Sequence, residues 1–553
     1  MTEQKHTYLQ IHPQDNVLVA LQDLPKGTDI RLNGHVFQLA DDVAAKHKFT
    51  LQEIQEGGEI YMYGVLVGKA VMVIPRGGLI HVKNVHHAAA DFKLGERRLS
   101  WQQPDVERWK NRQFMGYHRT DGSVGTANYW IVIPLVFCEN RNVEVLRDAL
   151  VEQLGYGKVK RYEADVQQLV QLYRNNRSEE EIAGAVLQEV LVEQSSRKLF
   201  PNIDGIKFLT HEMGCGGTRI DSDALCGLLA GYITHPNVAG ATVLSLGCQH
   251  AQVSILQQEI AKRDPAFGKP LVVVEQQKEG TENGLMQRAI KETFIGLMRA
   301  NKQTRQPAPL SKLCIGLECG GSDGFSGISA NPAVGYTSDI LVALGGSVIL
   351  SEFPELCGVE QELSDRCVDE TRAQRFMQLM RNYNARAEAD GSGFYANPSP
   401  GNIRDGLITD AIKSAGAAKK GGSSPVTDVL DYPEKVTRPG LNLLCTPGND
   451  VESTTAEVAS GANIVLFTTG LGTPTGNPIA PVIKLSTNTR IYKRMPDIID
   501  INCGTIIEGT ETIQEAGERI LDYIIEVASG NAVPKAVQLG QDDFIPWRRG
   551  VSL

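Results

Sequence analysis

A basic surplus, a disulfide framework and a membrane-length apolar run are all missing from this 553-residue chain. Lys and Arg number 55 against 65 Asp and Glu, a formal net charge of -10, which argues against nucleic acid or an anionic membrane as the main partner. Local basic groups remain free to hold a small acidic molecule. No stretch approaches the ~20 apolar residues of a spanning helix, and Met1 to Asp15 is polar rather than a basic segment followed by an apolar core. A soluble, cytoplasmic protein is expected. The ten cysteines include no CxxC pair and do not follow the spacing of a secreted disulfide scaffold, so they are read as reduced thiols, buried or chemically employed. The P-loop order of glycines, lysine and hydroxyl is absent, as is a dinucleotide fingerprint after a strand, so neither a nucleotide loop nor NAD is predicted.

What is present is glycine, 55 residues of it, much of it at the ends of apolar runs. The length allows roughly three domains. Residues 1–90 carry short or alternating apolar runs (Asn16 to Leu21, Thr28 to Leu32, Ile60 to Val67, Ala70 to Ile74) broken by turn signals such as Asn33-Gly34, the mark of a small antiparallel β unit. Residues 91–113 read as a linker. In 114–306 and again in 307–553, strands and amphipathic helices alternate, predicting two doubly wound α/β domains. Expected helices include Val143 to Leu154, Glu180 to Glu193, Gln361 to Glu388 and Thr512 to Ala528, with a boundary at Lys302 to Leu310.

Three strand ends share one property. Cys215, Cys248 and Cys319 each sit beside glycine directly after an apolar run, and the carboxyl ends of strands in open α/β sheets are where ligands bind. Three thiolates with an open position suit a soft or borderline metal and leave room for substrate, as either a mononuclear ion or an iron-sulfur cluster; buried packing cysteines are the plain alternative. Cys319 opens Cys319-Gly320-Gly321-Ser322-Asp323, which joins a thiol, a hydroxyl and a carboxylate between glycines. Glu352 and Glu355, around Pro354, are candidates for a hard-metal ligand or a proton acceptor. His47 can complete a metal site or act as acid or base, provided that the β unit docks over the strand tips. Asn397, Ser399 and Asn402 lie in a proline-rich turn suited to hydroxyl recognition. Lys413, Lys419 and Lys420 can pair with a carboxylate, although a charged helix face is the commoner reason for such lysines. The loop Thr468 to Gly476, which includes Thr473, offers an anion-binding nest.

These residues resemble a known family. His47-Lys48, Gly122-Ser123-Val124-Gly125, Gly214-Cys215, Leu246-Gly247-Cys248, Cys319 to Asp323, Asn397 to Asn402 and Gly472-Thr473-Pro474 occur in the order found in the altronate and galactarate dehydratases, and the likeness runs from Ile11 to the C-terminal end. Glu318 before Cys319, and Pro447-Gly448-Asn449-Asp450, place the chain nearer the altronate branch. The resemblance implies an N-terminal domain of SAF type and loss of water from a six-carbon sugar acid, D-altronate giving 2-dehydro-3-deoxy-D-gluconate, with a divalent metal, Fe(2+), required. On that basis Cys215, Cys248 and Cys319 are expected to hold or surround the metal. His47, Asp323 and Glu352 are the acid/base candidates, and Lys48, Ser322, Asn397, Ser399, Asn402 and Thr473 are expected to bind substrate. The small-molecule sugar acid is the expected partner, and a homo-oligomer is allowed. Kept open are galactarate or another aldarate or aldonate as substrate, a sulfo-lyase acting on a hydroxy sulfonate, and a sugar-acid binding protein without turnover.

Overall fold

The computed structural model describes residues 7–32, 34–89, 92, 101–157, 162–187 and 197–553. At the N-terminus the expected antiparallel β unit is present. Val17–Ala20 pairs with Tyr8–Leu9 and Lys48–Thr50, and Asp29–Leu32 forms a hairpin with His35–Gln38. Glu59–Met62, Val65–Ala70 and Val85–His86 form a third antiparallel sheet. The apolar run Ile60 to Val67 is folded back on itself at Tyr63 and Gly64, both at positive φ (59° and 78°). The run Ala70 to Ile74 leaves the ladder after Ala70, and only Ile74 bridges back to Ile54.

Next comes a four-stranded parallel sheet in the order Gly205–Phe208, Tyr129–Pro134, Val238–Ser245, Leu271–Glu275. Its two central strands are buried at every residue, as befits strands covered by helices on both faces. The helix Arg219–Thr234, which periodicity does not reveal, is buried without a break from Leu225 to Thr234, and a helix covered all round loses its amphipathic signature. Gly231 on it lies so close to the neighbouring domain that a Cβ there would meet the Ala459 carbonyl oxygen at 2.4 Å. The helix expected over Glu180 to Glu193 is present as Glu179–Ala183, and residues 188–193 of it lie outside the described set. So do 91 and 93–100 of the expected linker. The expected boundary at Lys302 to Leu310 contains a strand, Gln306–Pro309, which pairs antiparallel with Gln113–His118. The chain therefore enters and leaves this domain through one ribbon.

The last domain is a seven-stranded, all-parallel sheet. Its order is Val426–Leu430, Gly440–Leu444, Ser347–Leu350, Cys314–Cys319, Ile464–Thr469, Val482–Ser486, Ile501–Asn502. From Cys314–Cys319 the chain first builds one side of the sheet, then crosses to build the other. The gap between Cys314–Cys319 and Ile464–Thr469 is thus the topological switch point, the usual ligand crevice of such sheets. The helix expected over Gln361 to Glu388 is two, Glu360–Asp365 and Glu370–Ala389. The helix Ile513–Ser529 starts at a capping box, Thr512 with Glu515, which satisfies two of its free N–H groups. Among the described residues no helix is long and apolar enough to cross a membrane.

Candidate active site

The strand Cys314–Cys319 delivers a buried thiol to the switch point. Gly320 and Gly321 then let neighbouring elements approach closely: a Cβ on Gly320 would stand 2.0 Å from an Asp450 carboxylate oxygen, and Gly321, at φ +58°, has the Thr473 hydroxyl beside it. The adjacent strand Ser347–Leu350 ends in a turn in which Glu352 adopts the left-handed region (φ 61°, ψ 58°). Such a conformation is uncommon for a side chain larger than Asn or Asp. It brings Glu352 and Glu355 to the thiol: Cys319 Sγ lies 3.5 Å from Glu352 Oε2 and 3.3 Å from Glu355 Oε2. One ligand atom from each of the three residues lies within 4.8 Å of the others, and all three residues are buried.

Each carboxylate has its own lysine. Lys420 Nζ donates to Glu352 Oε2 at 2.9 Å, and Lys413 Nζ pairs with Glu355 Oε1 at 2.6 Å while also donating to Asn397 Oδ1 at 2.8 Å. Asn397 Nδ2 in turn donates to Glu355 Oε1 at 3.3 Å. Burial pushes the Cys319 thiol well up, and the two carboxylates push it further, so the chain alone holds it protonated. For Glu355 burial acts upward, but Lys413 and Lys420 outweigh it and hold the carboxylate below its ordinary range. Behind this layer Glu318 is fully buried, with its carboxyl group facing that of Glu352. Burial raises its pKa strongly, with Glu352 and Glu457 adding to the shift. Burial, followed by Glu352 and Glu355, also raises Asp450 to about 7.

A divalent cation fits this arrangement. Thiolate and carboxylate together suit a borderline ion, Glu352 Oε1 is buried without a hydrogen-bond partner, and a nearby dication would favour the thiolate that the chain alone disfavours.

The β unit does dock over these strand tips. Lys46, at φ 75°, places its carbonyl where a Cβ on Gly324 or Gly406 would stand, 2.3 and 2.4 Å away. Lys48 is fully buried, with Nζ donating to the Gly406 carbonyl at 2.6 Å; burial lowers its pKa to about 7. His47 between them is half-buried, its Nδ1 3.3 Å from the Ala45 carbonyl, and burial lowers its pKa. Asp323, expected as an acid or base, is instead saturated. It receives the Phe325 N–H, Ser326 Oγ, Lys46 Nζ at 3.1 Å, Thr487 Oγ1 at 3.0 Å and Asn488 Nδ2. Both oxygens are occupied, and the ion pair with Lys46 ties the β unit to this turn. Asn402 donates to the Ser322 carbonyl at 2.8 Å, and Ser399 with Asn402 forms the capping box of the short helix Pro400–Arg404. These two shape the turn, while Asn397 reaches the carboxylates.

Of the three expected metal cysteines the structure assembles one. Cys215 and Cys248 are exposed at tips of the other sheet, and among the described residues they join no group of three ligands with Cys319. The resemblance between the three tips is real, but two of the strands belong to a separate sheet. The Cys215 loop is covered instead by the chain terminus, with Leu553 N donating to the Gly216 carbonyl at 2.7 Å. A cleft of about 1280 Å³ lined by Tyr129, Lys198, Asp204, Lys207 and Arg305 is lined by none of the candidate residues.

Three family models match the chain: an altronate/galactarate dehydratase SAF domain over 6–88, a D-galactarate dehydratase/altronate hydrolase second domain over 116–301, and a D-galactarate/altronate dehydratase C-terminal domain over 310–552. Altronate dehydratase of Bacillus subtilis is 34% identical over 530 residues, covering 95% of this chain and 96% of the relative. Altronate dehydratase of Escherichia coli is 33% identical over 523 residues, 95% of each chain. The L-threo-forming galactarate dehydratase of Escherichia coli is 32% identical over 532 residues, 95% and 93%.

Proposed function

The chain belongs to the altronate/galactarate dehydratase family and is a sugar-acid hydro-lyase, and from that premise we propose that its substrate is D-altronate, that its metal is Fe(2+), and that the chemistry takes place at Cys319, Glu352 and Glu355. The observation that carries this reading is the convergence of those three side chains at the switch point, each carboxylate backed by a lysine.

Dehydration needs a base for the weakly acidic C2 proton and help for the C3 hydroxyl, a poor leaving group. When bound, the divalent ion supplies Lewis acidity toward the substrate carboxylate and hydroxyl. Cys319, Glu352 and Glu355 would hold it. His47, from the β unit, and Glu352, through whichever oxygen the ion leaves free, are the proton acceptors. Lys413 and Asn397 orient the sugar acid, with Lys48, Ser322 and Thr473 bordering the same turn. The acceptor takes the C2 proton, the C3–O bond breaks as the C2=C3 double bond forms, the protonated acceptor returns its proton to the departing hydroxide to give water, and the enol left behind tautomerises to the 2-keto-3-deoxy acid.

The test is anaerobic incubation with Fe(2+) and a panel of aldonates and aldarates, following 2-keto-3-deoxy acid. The expected result is a kcat/KM for altronate at least about tenfold above that for galactarate, a preference of ~1.4 kcal/mol. Higher turnover of galactarate would move the chain to the other branch, and no turnover of any sugar acid would remove the reading.

A further inference from the structure

Two residues beyond Glu355, the turn carries Cys357, and beside it lies a second set of metal-ligating side chains. His87, at the end of the β unit, closes with Nδ1 on Asp410 Oδ1, and ligand atoms of His87, Cys357 and Asp410 lie within 4.8 Å of one another. Each residue comes from a different element: the exit of the β unit, the turn after Phe353–Leu356, and the start of the helix Asp410–Ala418. Gly358 holds the three together. It sits at φ +97°, and a Cβ there would lie 3.1 Å from Ala411 Cβ and 3.5 Å from Ala89 Cβ.

The charge balance of this cluster differs from that of the catalytic one. Around Cys319 each carboxylate is paired with a lysine. Here Asp410 is buried, and the nearby Glu360 carboxylate accepts backbone N–H groups, that of Gly358 at 2.7 Å and its own. Among the described residues no lysine or arginine lies within ion-pairing distance of either. Two carboxylates beside a thiol have one imidazole, that of His87, as their ion-pairing partner among the described residues, a set that a divalent ion would balance. Thiolate, imidazole and carboxylate in one set select a borderline transition metal rather than Mg²⁺ or Ca²⁺.

We propose that His87, Cys357 and Asp410 form a second, structural metal site for a borderline dication of the zinc or iron(II) class, which staples the exit of the β unit to the turn bearing Glu352 and Glu355. The site is separate from the catalytic centre and stands whether or not that centre holds iron.

The test uses full-length Cys319→Ser protein stripped of metal with a chelator, so that the catalytic thiol is silent, and titrates it with Co²⁺. One thiolate-bound ion per chain is expected, read by thiolate-to-cobalt charge-transfer absorption. Adding Cys357→Ser abolishes that absorption, and adding His87→Ala weakens binding at least about tenfold. Zn²⁺ is expected to displace the cobalt and to slow alkylation of Cys357, read by peptide mass spectrometry, by a similar factor. Because His87 is half-exposed, its alanine variant is expected to keep the parent's circular dichroism. Absence of the absorption in the Cys319→Ser protein, or absorption that neither substitution changes, would overturn the site.

Discussion

Lys420 and Glu352 are each 1% exposed and 2.9 Å apart, so neither charge has water to fall back on. Removing one partner of such a pair strands the other, at a cost of about 3–5 kcal/mol. Lys420→Met is therefore expected to lower stability by that amount in urea denaturation, and the double variant with Glu352→Gln to recover most of the loss, because the stranded charge is then gone. Equal losses in the single and double variants would show that the pair is not coupled. These lysines also show what was legible at this scale. Lys413 and Lys420 lie among alanines and glycines in Ala411 to Gly422 with no acidic residue within that stretch, a sign that their partners come from elsewhere. A charged helix face was the commoner reading, and burial decides against it. Glu318 and Glu457 carried no such sign, because a carboxylate inside an apolar strand or helix is defined only by what packs around it.

At the scale of elements, the Lys46–Lys48 loop is set by two glycines on the other side of the contact. A Cβ at Gly406 would sit 2.4 Å from the Lys46 carbonyl oxygen, and the residue's φ of +93° disfavours any side chain. Gly406→Ala is expected to lift the loop: kcat falls by about 10²-fold or more as His47 loses its place, while circular dichroism of the catalytic domain is unchanged. Unaltered turnover would show that the loop has no catalytic part. A second contact, between the two parallel sheets, supplies a pH test. His235 is 2% exposed, with Nδ1 accepting the Asn237 N–H and Nε2 facing the Ala462 carbonyl at 3.0 Å. Burial, helped by Lys269, pushes its pKa down to about 3, against ~6.5 in the unfolded chain. Between these values the unfolded state binds a proton that the folded state refuses. This contribution is complete above pH ~6.5 and is lost as pH falls toward about 3. His235→Gln is expected to flatten the acid limb of a urea-midpoint series by up to ~1.4 kcal/mol per pH unit. A limb of unchanged slope would show that His235 does not titrate on unfolding.

Over the whole molecule, the α/β architecture with its small antiparallel N-terminal unit was readable because each part has its own hydrophobic period. Strands buried on both faces, such as Tyr129–Pro134, announced themselves as apolar runs, whereas the strands Val426–Leu430 and Val482–Ser486 went unread because polar residues interrupt them: Thr427 and Asp428 in one, Lys484 in the other. What the sequence could not supply was which strand tips share a sheet. Cys215, Cys248 and Cys319 carry the same local signal, yet only the chain's path through two sheets separates the first two from the third. The same path brings Glu352, Glu355, Lys413 and Lys420 to Cys319 from positions up to 101 residues away. The most direct test is formation of 2-keto-3-deoxy acid from D-altronate by anaerobically Fe(2+)-loaded Cys319→Ser protein beside the unsubstituted chain. If Cys319 holds the metal as proposed, its loss is expected to lower turnover by about 10²-fold or more; turnover equal to that of the unsubstituted chain would contradict the assignment of the chemistry to this centre.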